Sequence, residues 1–209
     1  MSSSTRSTLD SVSNSALPFG LPLGSVRAFM ALLILSNFWI VVLWPNASAR
    51  PLLGHFIMLP LVLYSFTLSR DLRPSGFVHR FLPFLLRILF VGGTVAAIFF
   101  VVSNGIDYRE RLTPDYSEFR DYWMPFSAAL GMGLLFGILV NALCGPTGAF
   151  FQTVRAWLSV VSMVLLSVEL GLFIIHLSSK TGDAGFVDFL RNYQLFEIGV
   201  VSAYFGTRI

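Results

Sequence analysis

Long apolar stretches recur along this chain, and they constrain its fold more than any other feature. Five of them reach the length of roughly 18 residues that a helix needs to cross a hydrocarbon core about 30 Å thick. Only 12% of the residues are charged, whereas soluble domains carry about 25%. The sequence therefore predicts an all-α integral membrane protein, a bundle of five to six transmembrane helices with one short amphipathic surface helix.

Proline- and glycine-containing breaks divide the chain into a tail and one helical domain. Residues 1–24 are rich in Ser, Pro and Gly and lack the pattern of a cleaved secretory signal, so we expect a flexible N-terminal tail. Residues 25–209 are predicted to form a single transmembrane domain. Its predicted helices cover residues 26–44, 51–69, 81–102, 122–144, 153–177 and 189–205.

The last predicted helix, 189–205, is the least apolar of the six. Because it carries Arg191, Gln194 and Glu197, it either spans the membrane inside the bundle or lies partly in the interface. Spanning is the interpretation we favour.

The net charge of +3 does not indicate a nucleic-acid-binding protein, because the 14 basic residues are scattered singly between apolar stretches. Four arginines cluster between residues 70 and 87, after the second predicted helix. Basic residues near the ends of membrane spans favour the cytoplasmic side. We therefore expect a bacterial inner-membrane protein with a cytoplasmic N-terminus.

One face of the predicted helix 122–144 is nearly free of side chains, so another helix can approach it closely. The partner belongs either to this chain or to another subunit. The face consists of residues at four-residue spacing, Ala129, Gly133, Gly137 and Asn141.

Polar side chains recur every seven residues along the predicted helix 153–177, at Arg155, Ser162, Glu169 and His176. Because seven residues fall about 20° short of two full turns, these side chains form one slowly drifting stripe. A charge near the bilayer centre costs roughly 2.5–3.5 kcal/mol on insertion scales, so Glu169 is expected to face the bundle interior. Glu169 and Ser162 are thus a candidate intramembrane polar site, either a structural contact or a proton or cation site.

Two histidines, His55 and His176, are predicted to lie at similar depth on helices of opposite direction. Such a pair is able to ligate haem, and one imidazole alone can hold the magnesium of a chlorin. The alternative is a pair of ordinary interfacial histidines, so the cofactor remains open. The single cysteine, Cys144, excludes an intramolecular disulfide and a cysteine-rich metal site, and no metal site is predicted.

The polar segment 113–123 has aromatic residues at helical spacing, which predicts an amphipathic helix on the membrane surface. Its aromatic side chains either anchor the chain in the interface or dock a neighbouring protein. They are Tyr116, Phe119, Tyr122 and Trp123.

No catalytic motif is present: the sequence contains no nucleophile elbow, no phosphate-binding glycine loop and no His-Glu-x-x-His. We therefore expect a non-catalytic accessory or scaffold subunit of a larger membrane complex, whose partners are the lipid bilayer and other membrane subunits. Two alternatives stay open. One is a small transporter or channel that uses an intramembrane carboxylate, and the other is a membrane protein that binds haem, a quinone or a pigment.

Overall fold

A computed structural model of the chain describes residues 25–44, 50–68, 77–103, 112–144, 149–178 and 184–208. These residues contain six α-helices and no strand. The predicted tail, residues 1–24, lies outside the described residues. The helices are α1 (Ser25–Leu43), α2 (Leu53–Leu68), α3 (Phe77–Ser103), α4 (Tyr116–Cys144), α5 (Ala149–Ser178) and α6 (Ala184–Gly206).

Three of the helices are long and apolar enough to cross a membrane. The spanning segments are Val26–Leu43, Tyr116–Cys144 and Phe150–Ser178, in α1, α4 and α5. A helix satisfies its backbone hydrogen bonds internally, which is what a segment surrounded by lipid requires. The described residues thus support a membrane protein.

Helix α1 is the most enclosed of these three. Inside the bundle, 61% of its spanning segment is buried, against 17% for α4. Its apolar side chains pack with those of α2 and the carboxyl-terminal half of α6 in one core cluster, while α3 packs mainly against α1. The bundle is therefore arranged around α1.

The helix directions alternate along the chain, so the bundle has two distinct ends. Three arginines lie at one end, named here the Arg27 end. They belong to the first turn of α1, the second turn of α5 and the segment just past α6, and are Arg27, Arg155 and Arg208. At the opposite end, named here the Glu118 end, Glu118 at the start of α4 meets Arg191 of α6. Helices α4 and α6 therefore run side by side in the same direction.

The small-residue face of α4 lies directly against the backbone of α6. A Cβ atom on Gly133 would collide with the carbonyl of Gly199, and one on Gly137 would collide with the carbonyl of Ala203. Conversely, a Cβ on Gly206 would meet the Cα of Gly137 at 3.0 Å. Side-chain-free positions on both helices thus permit a backbone-to-backbone contact, and the partner of this face is a helix of the same chain.

The segment predicted as a separate surface helix is the beginning of α4. Helix α4 starts at Tyr116 and continues through Pro125 without a break. Pro125 lies on an exposed side of the helix, so its ring removes one backbone hydrogen bond without disturbing a packed neighbour. The prediction of a short, independent surface helix is therefore corrected, and residues 116–123 form the first two turns of a longer one.

We expect Gly137→Ala to destabilise the protein, because the added methyl would meet an α6 carbonyl that cannot move without displacing the helix. Overpacking of this kind costs about 1–3 kcal/mol. Gly131→Ala on the same helix is the matched control, since its Cβ would meet nothing within 4 Å. Thermal unfolding in a mild detergent, followed by circular dichroism, measures both. Equal midpoints for the two variants would contradict the close α4–α6 contact.

Candidate buried carboxyl site

The side chain of Glu169 points into the bundle, where its carboxylate accepts two short hydrogen bonds. Asn37 of α1 donates from Nδ2 to Oε2 at 2.6 Å, and Gln194 of α6 donates from Nε2 to Oε1 at 2.6 Å. All three side chains are at most 1% exposed. One carboxylate therefore joins α1, α5 and α6.

His55 of α2 also lies beside the Glu169 carboxylate. Its Nε2 lies 3.7 Å from Oε1 of Glu169, and its Nδ1 lies 3.2 Å from Nε2 of Gln194 and 3.3 Å from the carbonyl oxygen of Leu52. The ring packs edge-on against Phe173, with 4.7 Å between centroids. With a proton on Nδ1 the ring donates to Leu52, and without one Nδ1 accepts from Gln194.

A second carboxyl, that of Glu197, lies beside Glu169. It is fully buried, stands one helical turn beyond Gln194 on α6, and interacts electrostatically with the Glu169 carboxyl. Among the described residues, no donor group hydrogen-bonds to either of its oxygens. Two ionised carboxylates repel each other strongly in a buried, low-dielectric setting. A proton held by one carboxyl and donated to the other removes this repulsion and supplies the missing hydrogen bond.

The group around Glu169 is rich in hydrogen-bond acceptors. The amide oxygens Oδ1 of Asn37 and Oε1 of Gln194 are buried and accept no hydrogen bond within the described part of the chain. Most buried polar atoms in folded proteins are paired, so an acceptor-rich cluster suits a proton or a small cation. Throughout the described ranges, no three His, Cys, Asp or Glu side chains are arranged to hold a metal ion.

An ion pair at the Glu118 end fixes the position of α6. The Oε1 atom of Glu118 accepts a hydrogen bond from the backbone N–H of Leu53 at 3.3 Å, at the first residue of α2. It also lies 3.5 Å from Nε of Arg191, whose guanidinium sits 5.0 Å above the Tyr122 ring. Because Arg191 is three residues before Gln194, these contacts set the rotation that directs Gln194 inward.

A small cavity at the Glu118 end reaches towards the carboxyl site. Phe173 forms part of its wall and packs against His55, which in turn approaches Glu169. The Phe173 ring therefore borders both the cavity and the buried imidazole. The cavity is lined by Arg50, Leu52, Phe173, His176, Leu177, Val187 and Leu190.

The two histidines considered as cofactor ligands have different surroundings. His55 is 1% exposed and belongs to the carboxyl site. His176 lines the cavity and stacks on Phe186, with 5.4 Å between ring centroids. The described contacts do not join the two imidazoles in one site.

The other predicted residues occupy several environments. Ser162 is fully buried on the inward stripe of α5, and its hydroxyl has no hydrogen-bond partner in the residues that the structure describes. Ala129 packs against the core cluster, and Asn141 is half-buried.

The aromatic residues at the start of α4 face in two directions. Tyr116 is 78% exposed, and the rings of Phe119 and Trp123 stack on the outside of the helix, 6.5 Å apart. Tyr122 turns inward to Arg191. Only the outward set is placed for anchoring in the interface or for docking.

The sequence analysis did not place Asn37, Gln194 or Glu197 in the site. Their signal was present: Asn37 interrupts an apolar helix, and Gln194 and Glu197 are three residues apart, on one face of α6. Polarity in 189–205 was interpreted as a sign of packing inside the bundle or of an interfacial position, and no partner within the chain was predicted for it. In the structure, the same polarity faces the Glu169 carboxylate.

No protein-family model, curated protein or solved structure matches this chain. The chemistry of the carboxyl site therefore has to be inferred from its own residues.

Proposed function

We propose that this chain is a small membrane transport protein, a channel or a transporter, in which Glu169 and Glu197 bind and release a proton. The observation that carries the proposal is the presence of two fully buried, electrostatically interacting carboxyls, one of which lacks a described donor. A purely structural polar contact is expected to be fully paired, since buried polar atoms without partners are costly. Intramembrane carboxyls in proton pathways are tolerated because they change protonation state.

A route to the carboxyls is supported by the cavity at the Glu118 end. Rotation of the Phe173 ring would connect the cavity with His55, whose imidazole nitrogens can donate or accept a hydrogen bond. His55 lies 3.7 Å from Glu169, so a proton can pass between them after a small approach. On the other side, buried Ser162 lies two turns towards the Arg27 end and can both accept and donate a hydrogen bond.

We further propose that all six helices cross a bacterial inner membrane and that the N-terminus is cytoplasmic. Three helices have the required length and composition, and the contacts of α2 and α6 extend between the same two ends of the bundle. The Arg27 end would face the cytoplasm, because it gathers arginines from α1, α5 and the end of α6.

An accessory subunit of a larger membrane complex is the second candidate. The observation that favours it is the position of α3, which packs mainly against α1. Large side chains on its outer side, among them Val91, Val95 and Phe99, are more than half exposed. A neighbouring subunit would cover this face, as would lipid.

Replacement of either carboxyl by an amide is expected to abolish proton movement while preserving the fold. In Glu169→Gln, rotation of the Gln194 amide lets its oxygen accept from the new amide, so folded yield should stay near that of wild type. Proton uptake into liposomes containing a pH-sensitive dye, driven by a potassium diffusion potential, should fall to the rate of empty liposomes. Glu197→Gln should behave in the same way.

Two further variants make this test specific. Asp121→Asn removes an exposed carboxylate that pairs with Arg120, and it should transport protons at the wild-type rate. Glu169→Leu removes the acceptor for the buried amide groups of Asn37 and Gln194, so it should lower the free energy of unfolding by about 1–3 kcal/mol. Infrared spectra should show a protonated carboxyl that Glu197→Gln or Glu169→Gln removes. A wild-type proton rate and an unchanged carboxyl band in both amide variants would refute the proposal.

Reporter fusions test the orientation. A fusion after Arg73, which follows α2, should lie in the cytoplasm, whereas a fusion after Glu118 should lie on the opposite side. Paired alkaline phosphatase and green fluorescent protein fusions report the two locations. The inverse pattern would reverse the proposed orientation, and reporters on the same side would contradict a spanning α3.

Native electrophoresis separates the second candidate from the first. An accessory subunit solubilised gently from its own membrane should migrate well above a detergent-bound chain of 23.2 kDa, together with other proteins identifiable by mass spectrometry. Replacing Val95 on the outer side of α3 with Trp should then release it from the assembly. Migration as a single chain or as a homo-oligomer would count against an accessory role.

A further inference from the structure

At the Arg27 end, three arginine side chains interact with Tyr204. Arg208 donates a hydrogen bond from Nη2 to the Tyr204 hydroxyl at 3.2 Å and lies 5.4 Å from the centre of its ring. Arg27 and Arg155 interact electrostatically with Tyr204 and also with Arg208. The first turn of α1, the second turn of α5 and the segment just past α6 therefore contribute three positive charges near one buried phenol.

These arginines are buried further than unpaired charges usually are. Arg27 is only 9% exposed, and Arg155 and Arg208 are half-buried. Arginine is almost never fully buried without a partner. Within the described ranges, the ion pairs of the carboxylates involve His55, Arg120 and Arg191 and none of these three side chains.

The hydrogen-bonding capacity of the cluster is also incompletely used. The Nε atom of Arg208 is buried and donates to no partner among the residues that the structure describes. Arg155 lies 6.0 Å from the centre of the Phe151 ring, a contact that orients the guanidinium without neutralising it. Three mutually repelling charges and a free buried donor favour the binding of an anion.

We propose that Arg27, Arg155 and Arg208 bind a phosphate-bearing anion at the Arg27 end of the bundle. Planar guanidinium groups match the oxygens of a phosphate through paired hydrogen bonds. The cluster lies where three helices end, and basic pockets between membrane helices bind the headgroups of anionic lipids. An anionic phospholipid supplies this chemistry from the bilayer, and free phosphate supplies it from solution. The inference is independent of the proposed proton site.

Thermal unfolding of the full chain in mild detergent tests the site with three probes: phosphatidylglycerol, phosphatidylcholine and inorganic phosphate. We expect phosphatidylglycerol to raise the midpoint more than phosphatidylcholine does. Each of Arg155→Gln and Arg208→Gln should weaken the apparent affinity about fivefold, the effect of roughly one guanidinium at an anionic surface. Arg155→Lys keeps the charge but loses the planar fork, so its affinity should be intermediate.

Arg120→Gln is the matched control, because Arg120 is 69% exposed at the Glu118 end and pairs with Asp121. It should respond to all three probes like wild type. Arg27 is left in place, since removal of a buried side chain can destabilise the chain by itself. Native mass spectrometry of the Arg155→Gln/Arg208→Gln double variant gives a second measurement, in which bound phosphatidylglycerol should be lost.

The probes also distinguish the two sources of the anion. A response to phosphatidylglycerol alone assigns a lipid headgroup, and a response to inorganic phosphate, alone or with the lipid, assigns a site open to free phosphate. The proposal is overturned if wild type responds equally to phosphatidylglycerol and phosphatidylcholine and not to phosphate. It is also overturned if the double variant responds to every probe as wild type does.

Discussion

The Glu169 carboxylate is the interaction on which the inner face of this bundle depends. It accepts one hydrogen bond from α1 and one from α6, and the imidazole of α2 stands beside it. Without this group, apolar packing alone would define the rotation of α1 and α2 less strictly. A buried charge removes that freedom, because any rotation that withdraws Asn37 or Gln194 leaves unpaired polar atoms. Polar pairing therefore specifies the arrangement that apolar packing stabilises.

Helix α6 carries two of the residues around Glu169, Gln194 and Glu197, and two separate contacts position this helix. Along one side, glycines of α4 allow the two backbones to touch, which fixes the distance between the helices. At the Glu118 end, Arg191 is held between Glu118 and Tyr122, which fixes the rotation. Gln194 and Glu197 follow Arg191 by about one and two turns, so the rotation fixed at Arg191 also directs these two side chains inward.

Hydropathy and helical periodicity were enough to predict an all-helical membrane protein, because both are properties of single segments. The seven-residue polar stripe on α5 similarly predicted that Glu169 faces the bundle interior, because all residues of the stripe belong to one helix. The partners of Glu169 come from α1, α2 and α6, and no local pattern states which helices face each other. The break predicted before residue 122 failed for a different reason: the polar first turns of α4 resemble a surface helix, but Glu118 among them is buried by contacts with α2 and α6.

The glycine contact between α4 and α6 also determines which parts of the bundle can move separately. Backbones that touch at Gly133 and Gly137 resist sliding or tilting past each other, so we expect α4 and α6 to move as one body. Glu197 belongs to this α4–α6 pair, whereas Glu169 belongs to α5. Any relative motion of the two bodies changes the spacing of the carboxyls, and with it the repulsion that a shared proton relieves. Protonation of the Glu169–Glu197 pair would therefore change the shape of the bundle. A shared proton would draw the two carboxyls together, and its loss would drive them apart.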